Sequence, residues 1–451
     1  MNHFSNQSKS LLQNLTNIVA LSTPVNVVVT PAQHLRGEVT LPGDKSITHR
    51  ALMIGAISEG TTEVEGFSSA ADPMSTLNCI RALGVETRKS GELLSIIGKG
   101  LGRLSRSQQA LDAGNSGTTI RLLAGILAAQ KFESTITGDE SLRQRPMGRI
   151  IAPLTQMGAR IESTLVQTPP LKIYAVDRLK AMEYTLPVPS AQVKSAIIFA
   201  GLHAEGVTRV IETIPTRDHT ERMLDLNVKK IDGGTIIQVD GRKKLEARRF
   251  TIPGDISAAT YFVIGACLVP DSELLINNVG LNPTRTAILD ILKKMGAKIE
   301  INELKSDELE PRGNLLVRSS RLTNVSIPTE LIPSLIDELP VLAVAGAMAK
   351  GKFDLRGALE LRVKESDRIR SLCENLKRLG VSVDAFEDGF AFEGENRFIP
   401  STPLESYGDH RVAMAMGVAG LVSEQPVEIL DAECVDISFP KFWNKLKSLT
   451  L

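Results

Sequence analysis

The sequence predicts an α/β protein of two similar domains, each made of three pseudo-threefold repeats around buried central helices. Three observations predict it. A chain of 451 residues exceeds one ordinary core, so two domains of about 200 residues each are the natural division. One pattern of elements recurs about every 65 to 81 residues, filling residues 40 to 450 six times. The first helix of each copy is apolar all round, which places it in an interior.

That apolar helix is entered through a polar cluster each time. It is predicted at Lys45-Ser46 through Glu59, Asn115-Ser116 through Gln130, Ser190-Ala191-Gln192 through Glu205, Asp255 through Val269, Asp337-Glu338 through Lys350 and Asp409-His410-Arg411 through Glu424. Gly60, Gly206, Pro270 and Gly351 supply stops. A short strand follows, then an amphipathic helix closing on Gly84-Val85, Gly158-Ala159, Gly296-Ala297 or Gly380-Val381, with a degenerate version at Asn227-Val228. Leu41-Pro42-Gly43-Asp44-Lys45-Ser46 and Ile252-Pro253-Gly254-Asp255-Ile256-Ser257 form the clearest pair. Symmetry would aim the three apolar helices of each half the same way. Each N-terminus carries about half a positive charge and up to four free N–H groups. Six such ends facing one interdomain cleft would trap anions.

Composition narrows the partners. Hydrophobic residues make up 42% and charged residues 23%, the balance of a soluble globular protein. Lys plus Arg equals Asp plus Glu at 52 each, so no global field exists to hold nucleic acid or an acidic membrane surface. The longest apolar runs fall short of the roughly 20 residues that span a bilayer. Cys79, Cys267, Cys373 and Cys434 lie far apart with no CxxC pair, as expected of reduced, buried thiols in a cytosol. Residues 1–25 read as a flexible Ser/Asn-rich tail.

Cations crowd the predicted helix starts and loops. Lys45, Arg50, Arg121 and Arg411 stand at or just inside helix starts; Arg143, Arg145 and Arg149 surround Pro146. Arg217 and His219 precede the third amphipathic helix, and Arg362, Lys364, Arg368 and Arg370 flank Glu365 and Asp367. Any one of these fits an exposed ion pair. Residues Arg362 to Arg370 also fit a solvated helix start, and Asp337 fits a helix cap. As a set they point to a substrate with several negative charges, because Arg forks suit phosphate and carboxylate and Lys serves as a movable charge or proton donor.

Six ordered segments resemble the enolpyruvylshikimate-phosphate synthases. They are Pro42-Gly43-Asp44-Lys45-Ser46-Ile47-Thr48-His49-Arg50, Gly114-Asn115-Ser116-Gly117-Thr118, Arg145-Pro146-Met147, Ser190-Ala191-Gln192-Val193-Lys194-Ser195, Lys364-Glu365-Ser366-Asp367-Arg368 and Asp409-His410-Arg411. Arg217-Asp218-His219-Thr220-Glu221 looks more like the bacterial second class. The resemblance covers about residues 25 to 450. It implies two inside-out α/β domains of the enolpyruvyl transferase fold: residues 26–42 with 254–451, and residues 43–253. The hinge would lie near Pro42-Gly43 and Pro253-Gly254. It also implies transfer of the enolpyruvyl group of phosphoenolpyruvate to shikimate 3-phosphate by a cytoplasmic monomer, with cleft closure and with no metal or organic cofactor.

Carried over position by position, Lys45, Ser46, Arg50, Ser190, Ala191, Gln192, Asp337 and Lys364 would hold shikimate 3-phosphate, with Arg217 as an additional contact. Lys45, Gly117, Arg145, Gln192, Arg368 and Arg411 would hold phosphoenolpyruvate. Asp337 would take the 5-hydroxyl proton, and Glu365 or Lys45 would protonate the methylene, each with a pKa shifted by the cleft. Many relatives carry Lys just before a Ser/Thr-Phe-Pro, but here Ile437 precedes Ser438-Phe439-Pro440. Gly117 leaves space for glyphosate, a phosphoenolpyruvate mimic. Two other readings compete. An enolpyruvyl transferase acting on UDP-N-acetylglucosamine would need a reactive Cys in the loop that here reads Leu142-Arg143-Gln144-Arg145-Pro146. An RNA 3'-phosphate cyclase-like anion-binding module would not need the paired candidates Asp337 and Glu365.

Overall fold

The computed structural model describes residues 25–306 and 308–450, so the tail expected over 1–25 lies outside them except for Val25. Each repeat pairs a central helix with a flanking one. Helix α1 (Lys45–Ile57) is followed by α2 (Ala71–Ala82), α3 (Gly117–Leu127) by α4 (Gly148–Gln156), and α5 (Ala191–Gly201) by α6 (His219–Leu224). In the second half α7 (Ile256–Leu268) is followed by α8 (Ala287–Lys294), and α9 (Leu339–Met348) by α10 (Arg368–Arg378). Finally α11 (His410–Leu421) leads to a 3-10 turn at Ala432–Ile437 and α12 (Phe442–Ser448).

The polar clusters at the central helix starts are caps. Asp44, Ser116, Ser190, Asp255 and Asp409 each accept a backbone N–H from the first turn with their side chains, an arrangement typically worth about 1 kcal/mol per helix. Helix α9 is the exception: Glu338 stands at its N-cap without a side-chain bond, so Asp337 does not cap it. Every residue of α11 is buried, as is nearly every residue of α1, α7 and α9. All six central helices end one to four residues earlier than predicted. After α1, for example, the apolar run passes directly into the strand Glu59–Glu65.

The flanking helices stop where the Gly signatures stand. Gly84, Gly158, Gly296 and Gly380 all have positive φ, and the N–H of Gly84 bonds Arg81 O while that of Val85 bonds Ile80 O. The degenerate copy is displaced from its predicted place. The same pair of bonds ends α6 at Asp225 (φ 52°) and Leu226 rather than at Asn227-Val228, because Asp tolerates a left-handed conformation better than most side chains.

The sheets repeat as faithfully as the helices. The strand after each of the first four central helices and after α11 has one parallel neighbour: Arg249–Thr251 beside Glu59–Glu65, Leu111–Asp112 beside Ser134–Thr137, and Glu183–Thr185 beside Val207–Glu212. Arg36–Thr40 lies beside Glu273–Gly280, and Leu404–Glu405 beside Val427–Leu430. In the fifth copy the parallel partner shrinks to a bridge between Thr323 and Lys350. An antiparallel neighbour completes each ladder on the other side; for the sixth copy it is Val27–Val29, from the start of the chain.

Two hydrophobic cores result. One runs from Ile47 to Ile252; the other joins Val29–Leu41 to Ile256–Leu449. The chain passes between them twice, side by side: Asp44 N donates to Pro253 O at 2.7 Å and Asp255 N to Pro42 O at 3.1 Å. At this crossing only glycine fits position 43, since a Cβ would lie 1.9 Å from Gly66 O. Cys79, Cys267 and Cys373 are buried and Cys434 is half-buried; burial pushes the Cys79 thiol up to about 12. Among the described residues no single helix is long and apolar enough to cross a membrane.

Candidate active site

One cleft receives residues from the N-terminal ends of all six central helices. Lys45 and Ser46 come from α1, Gly117 and Thr118 from α3, Ala191 and Gln192 from α5, and His410 and Arg411 from α11. Asp255 precedes α7 and Asp337 precedes α9. Both cores therefore supply its walls. The cleft holds about 220 Å³, below the roughly 300 Å³ at which most ligand sites begin. Ion pairs draw the walls together: Arg217 contacts Asp337, and Arg145 Nη1 stands 3.9 Å from Glu365 Oε1.

The polar side chains are held in place by neighbours. Lys45 Nζ donates to Asp72 at 3.0 Å, and Lys364 Nζ to Glu360 at 2.9 Å. Gln192 Nε2 donates to Thr118 Oγ1 at 3.0 Å while its Oε1 accepts from Arg121 at 2.8 Å. Arg145 Nη2 donates to Asn115 Oδ1 at 2.6 Å, which leaves its Nε buried without a partner. Arg411 Nε and Arg368 Nη1 both approach Asp337 Oδ1 at 3.6 Å.

Charge competition decides the state of the acids. Burial pushes Asp337 toward its neutral form, but Arg411, Arg217, Arg368 and Lys364 outweigh burial and hold it well below the usual carboxylate range. Burial also pushes Glu365 upward; Arg368, His410, Arg145 and Lys45 outweigh it in the same way. The shift keeps Asp337 ionised but lowers its basicity, so the neighbouring cations have to be offset before it takes a proton. For Glu365 it opposes the expected acid role, since the protein's own charges keep this carboxyl ionised. On the cationic wall, burial and then Arg145 and Arg149 lower Arg121 to about 10.

Lys45, Ser46, Gly117, Arg145, Ser190, Ala191, Gln192, Arg217, Asp337, Lys364, Glu365 and Arg411 all line the cleft. Arg50 and Arg368 stand one layer behind it. Arg50 is 3% exposed and donates to Ser46 O, Thr220 Oγ1 and Ser195 Oγ. Arg368 is 1% exposed, donating to Asp409 at 2.8 Å and to Glu365 at 2.6 Å. Ile437, where many relatives carry Lys, ends the 3-10 turn and does not line the cleft.

Several lining residues escaped the sequence reading. Arg121, one helical turn beyond Gly117, and Arg149 stand out in the sequence as cations only, with no motif that assigns either a ligand. Asp72, Glu360 and Arg285 carried no motif signal. Arg285 donates to Ser257 Oγ at 2.6 Å and lies 3.6 Å from Asp44 and 3.3 Å from Glu338, so it ties both chain crossings to one guanidinium.

Fold and site together place a cation-rich cleft between two α/β cores, the setting of an enzyme that acts on small, multiply charged anions. Residues 29–446 match EPSP synthase (3-phosphoshikimate 1-carboxyvinyltransferase), and the chain belongs to that family. It is 49% identical over 422 residues to the 3-phosphoshikimate 1-carboxyvinyltransferase of Salinibacter ruber, covering 93% of this chain and 98% of the relative. The EPSP synthase structure from Acinetobacter baumannii superposes with a TM-score of 0.83 at 41% identity, covering 94% of this chain and 98% of that one. The enolpyruvyl transferase NikO of Streptomyces tendae shares the fold alone, with a TM-score of 0.73 at 15% identity over 95% of this chain and 98% of that one. The architecture is thus the enolpyruvyl transferase fold. The chain transfers the enolpyruvyl group of phosphoenolpyruvate to shikimate 3-phosphate, a step of aromatic amino-acid biosynthesis.

Proposed function

We propose that the cleft performs this transfer with the following division of labour. The single observation that carries it is the meeting of all six central helix N-termini, from both cores, on one wall of cations around Asp337 and Glu365. Two phosphates of roughly −1.5 to −2 each, with two carboxylates, are opposite in sign to that wall, whose eight Lys and Arg outnumber its five Asp and Glu. Lys45, Ser46, Ser190, Ala191, Gln192, Arg217, Asp337 and Lys364 hold shikimate 3-phosphate, with Arg50 contributing from behind Ser46. Lys45, the Gly117 backbone, Arg145, Gln192 and Arg411 hold phosphoenolpyruvate, with Arg368 behind them. Residues 26–42 with 254–451 form one domain and 43–253 the other. The crossings at Pro42-Gly43 and Pro253-Gly254 act as the hinge on which the domains close. The enzyme works as a cytoplasmic monomer.

In the reaction Asp337 accepts the proton of the 5-hydroxyl as its oxygen attacks C2 of phosphoenolpyruvate, whose methylene gains a proton. Lys45 or Glu365 donates that proton. Substrate anions offset the cations that hold Glu365 ionised, so the bound pair raises its pKa toward a donor's range. The tetrahedral ketal phosphate then expels phosphate as its C2–O(phosphate) bond breaks and the methyl returns one proton to the group that donated it, restoring the C=C bond. The proton on Asp337 leaves with the phosphate, and the arginines and helix ends stabilise the departing charge. A coupled phosphate-release assay tests the reading. Wild type should release phosphate only with both substrates present, and Lys45→Met should turn over at least about a hundredfold more slowly. Phosphate release from Lys45→Met at the wild-type rate would refute it.

A further inference from the structure

Ser190, Ala191 and Gln192 face the cleft, yet two residues further along α5 the chain turns its longest side chain inward. Lys194 is fully buried, at 0% exposure. A buried ammonium is tolerated only where anions receive it, and two do. Nζ lies 3.0 and 2.9 Å from the carboxylate oxygens of Glu212 and 2.6 Å from Glu221 Oε1. Glu212 ends the strand Val207–Glu212, and Glu221 lies in the first turn of α6. Between them run residues 213–218, a loop with no helix or strand of its own, carrying Thr216 and Arg217 into the cleft.

One ammonium therefore fastens both ends of this loop to α5. Thr216 adds a bond from within it, donating to Glu212 Oε2 at 2.9 Å. The next residue, Ser195, repeats the arrangement with hydroxyls and a second cation. Its hydroxyl bonds Thr220 Oγ1 at 2.7 Å and accepts from Arg50 Nη2 at 2.9 Å. Lys194 meets Glu212 and Glu221 inside this buried cluster, while Arg217 extends from the loop into the cleft, where it contacts Asp337 of the other core.

We propose that Lys194 is a positioning residue: by joining Glu212 and Glu221 it sets the loop 213–218 and thereby the reach of Arg217 to shikimate 3-phosphate. This rests on the reading that Arg217 contacts that substrate. Steady-state phosphate release, with each substrate varied in turn, separates the two claims in wild type, Arg217→Met, Lys194→Met and the double variant. Arg217→Met should raise KM for shikimate 3-phosphate at least about tenfold. Lys194→Met should do nearly the same, with KM for phosphoenolpyruvate changed less than about threefold. The double variant should match Arg217→Met to within about twofold, because the second change removes nothing the first left in place. An unchanged KM in Arg217→Met defeats the reading of Arg217 itself. A large effect there combined with wild-type KM in Lys194→Met, or effects that multiply in the double variant, overturns the positioning role. If Lys194→Met does not fold, Glu221→Gln replaces it, since Lys194 then keeps Glu212. A rise in KM for shikimate 3-phosphate supports the proposal, and lowered thermal stability with unchanged KM overturns it.

Discussion

Asp337 stands where Arg217, Arg368 and Arg411 converge, and that convergence sets its behaviour with pH. A carboxyl held below its ordinary value of 3.8 adds stability that is complete above the unfolded pKa and disappears as pH falls through the folded one. The melting-temperature difference between wild type and Asp337→Asn should therefore be widest at neutral pH and narrow below about pH 4; a difference constant from pH 7 to pH 3 would show that the carboxylate's charge is not what matters. Gly117 offers a second test. A Cβ there would lie 2.7 Å from Arg121 Nη1 and 3.5 Å from Arg145 Nη1, pressing on the guanidinium wall assigned to phosphoenolpyruvate. Gly117→Ala should raise KM for phosphoenolpyruvate several-fold, weaken inhibition by glyphosate, and leave KM for shikimate 3-phosphate within about twofold. Paired titrations of the two substrates would check this.

At the scale of elements, the helices were readable because cap and core requirements write themselves locally. Asp44, Ser116, Ser190, Asp255 and Asp409 each mark a start within a few residues of an apolar run. Strand pairing was less readable. The parallel neighbours of Glu59–Glu65 and Glu273–Gly280 come from Arg249–Thr251 and Arg36–Thr40, distant in sequence, and Leu111–Asp112 and Leu404–Glu405 are too short to show any alternation. The displaced signature after α6 has the same kind of cause: Asp225 adopts the left-handed conformation that Gly occupies in the other copies, and no glycine announces it. Asp225→Gly should accordingly stabilise the protein by about 0.5 kcal/mol, because it removes Cβ strain from a left-handed cap. Chemical denaturation measures the change, and destabilisation would mean that the Asp225 side chain contributes more than its backbone costs.

Across the whole molecule, the site was legible as a set of cations and acids but not as layers. Arg50 and Arg368 carry motif signals as strong as those of Lys45 and Arg411, yet they lie behind the lining. A motif records that a residue is required, and it does not distinguish contact with a ligand from support of the group that makes the contact. Arg285, which binds Ser257 and faces Asp44 and Glu338, went unseen because its role exists only once the two crossings lie side by side. The converging cations also set a salt response. Raising ionic strength from about 0.05 to 0.5 M shortens the screening length to a few ångströms, so KM for both anionic substrates should rise several-fold while kcat changes little. A salt-independent KM would argue against long-range attraction by the cleft.

The central claim is that cations from both cores hold one substrate pair. A crystal structure with shikimate 3-phosphate and an unreactive phosphoenolpyruvate analogue measures this directly. The analogue should lie within hydrogen-bonding distance of Arg145 from one core and Arg411 from the other, with shikimate 3-phosphate against Lys45 and Asp337. Ligands bound to residues of one core alone, or outside the cleft, would contradict the account.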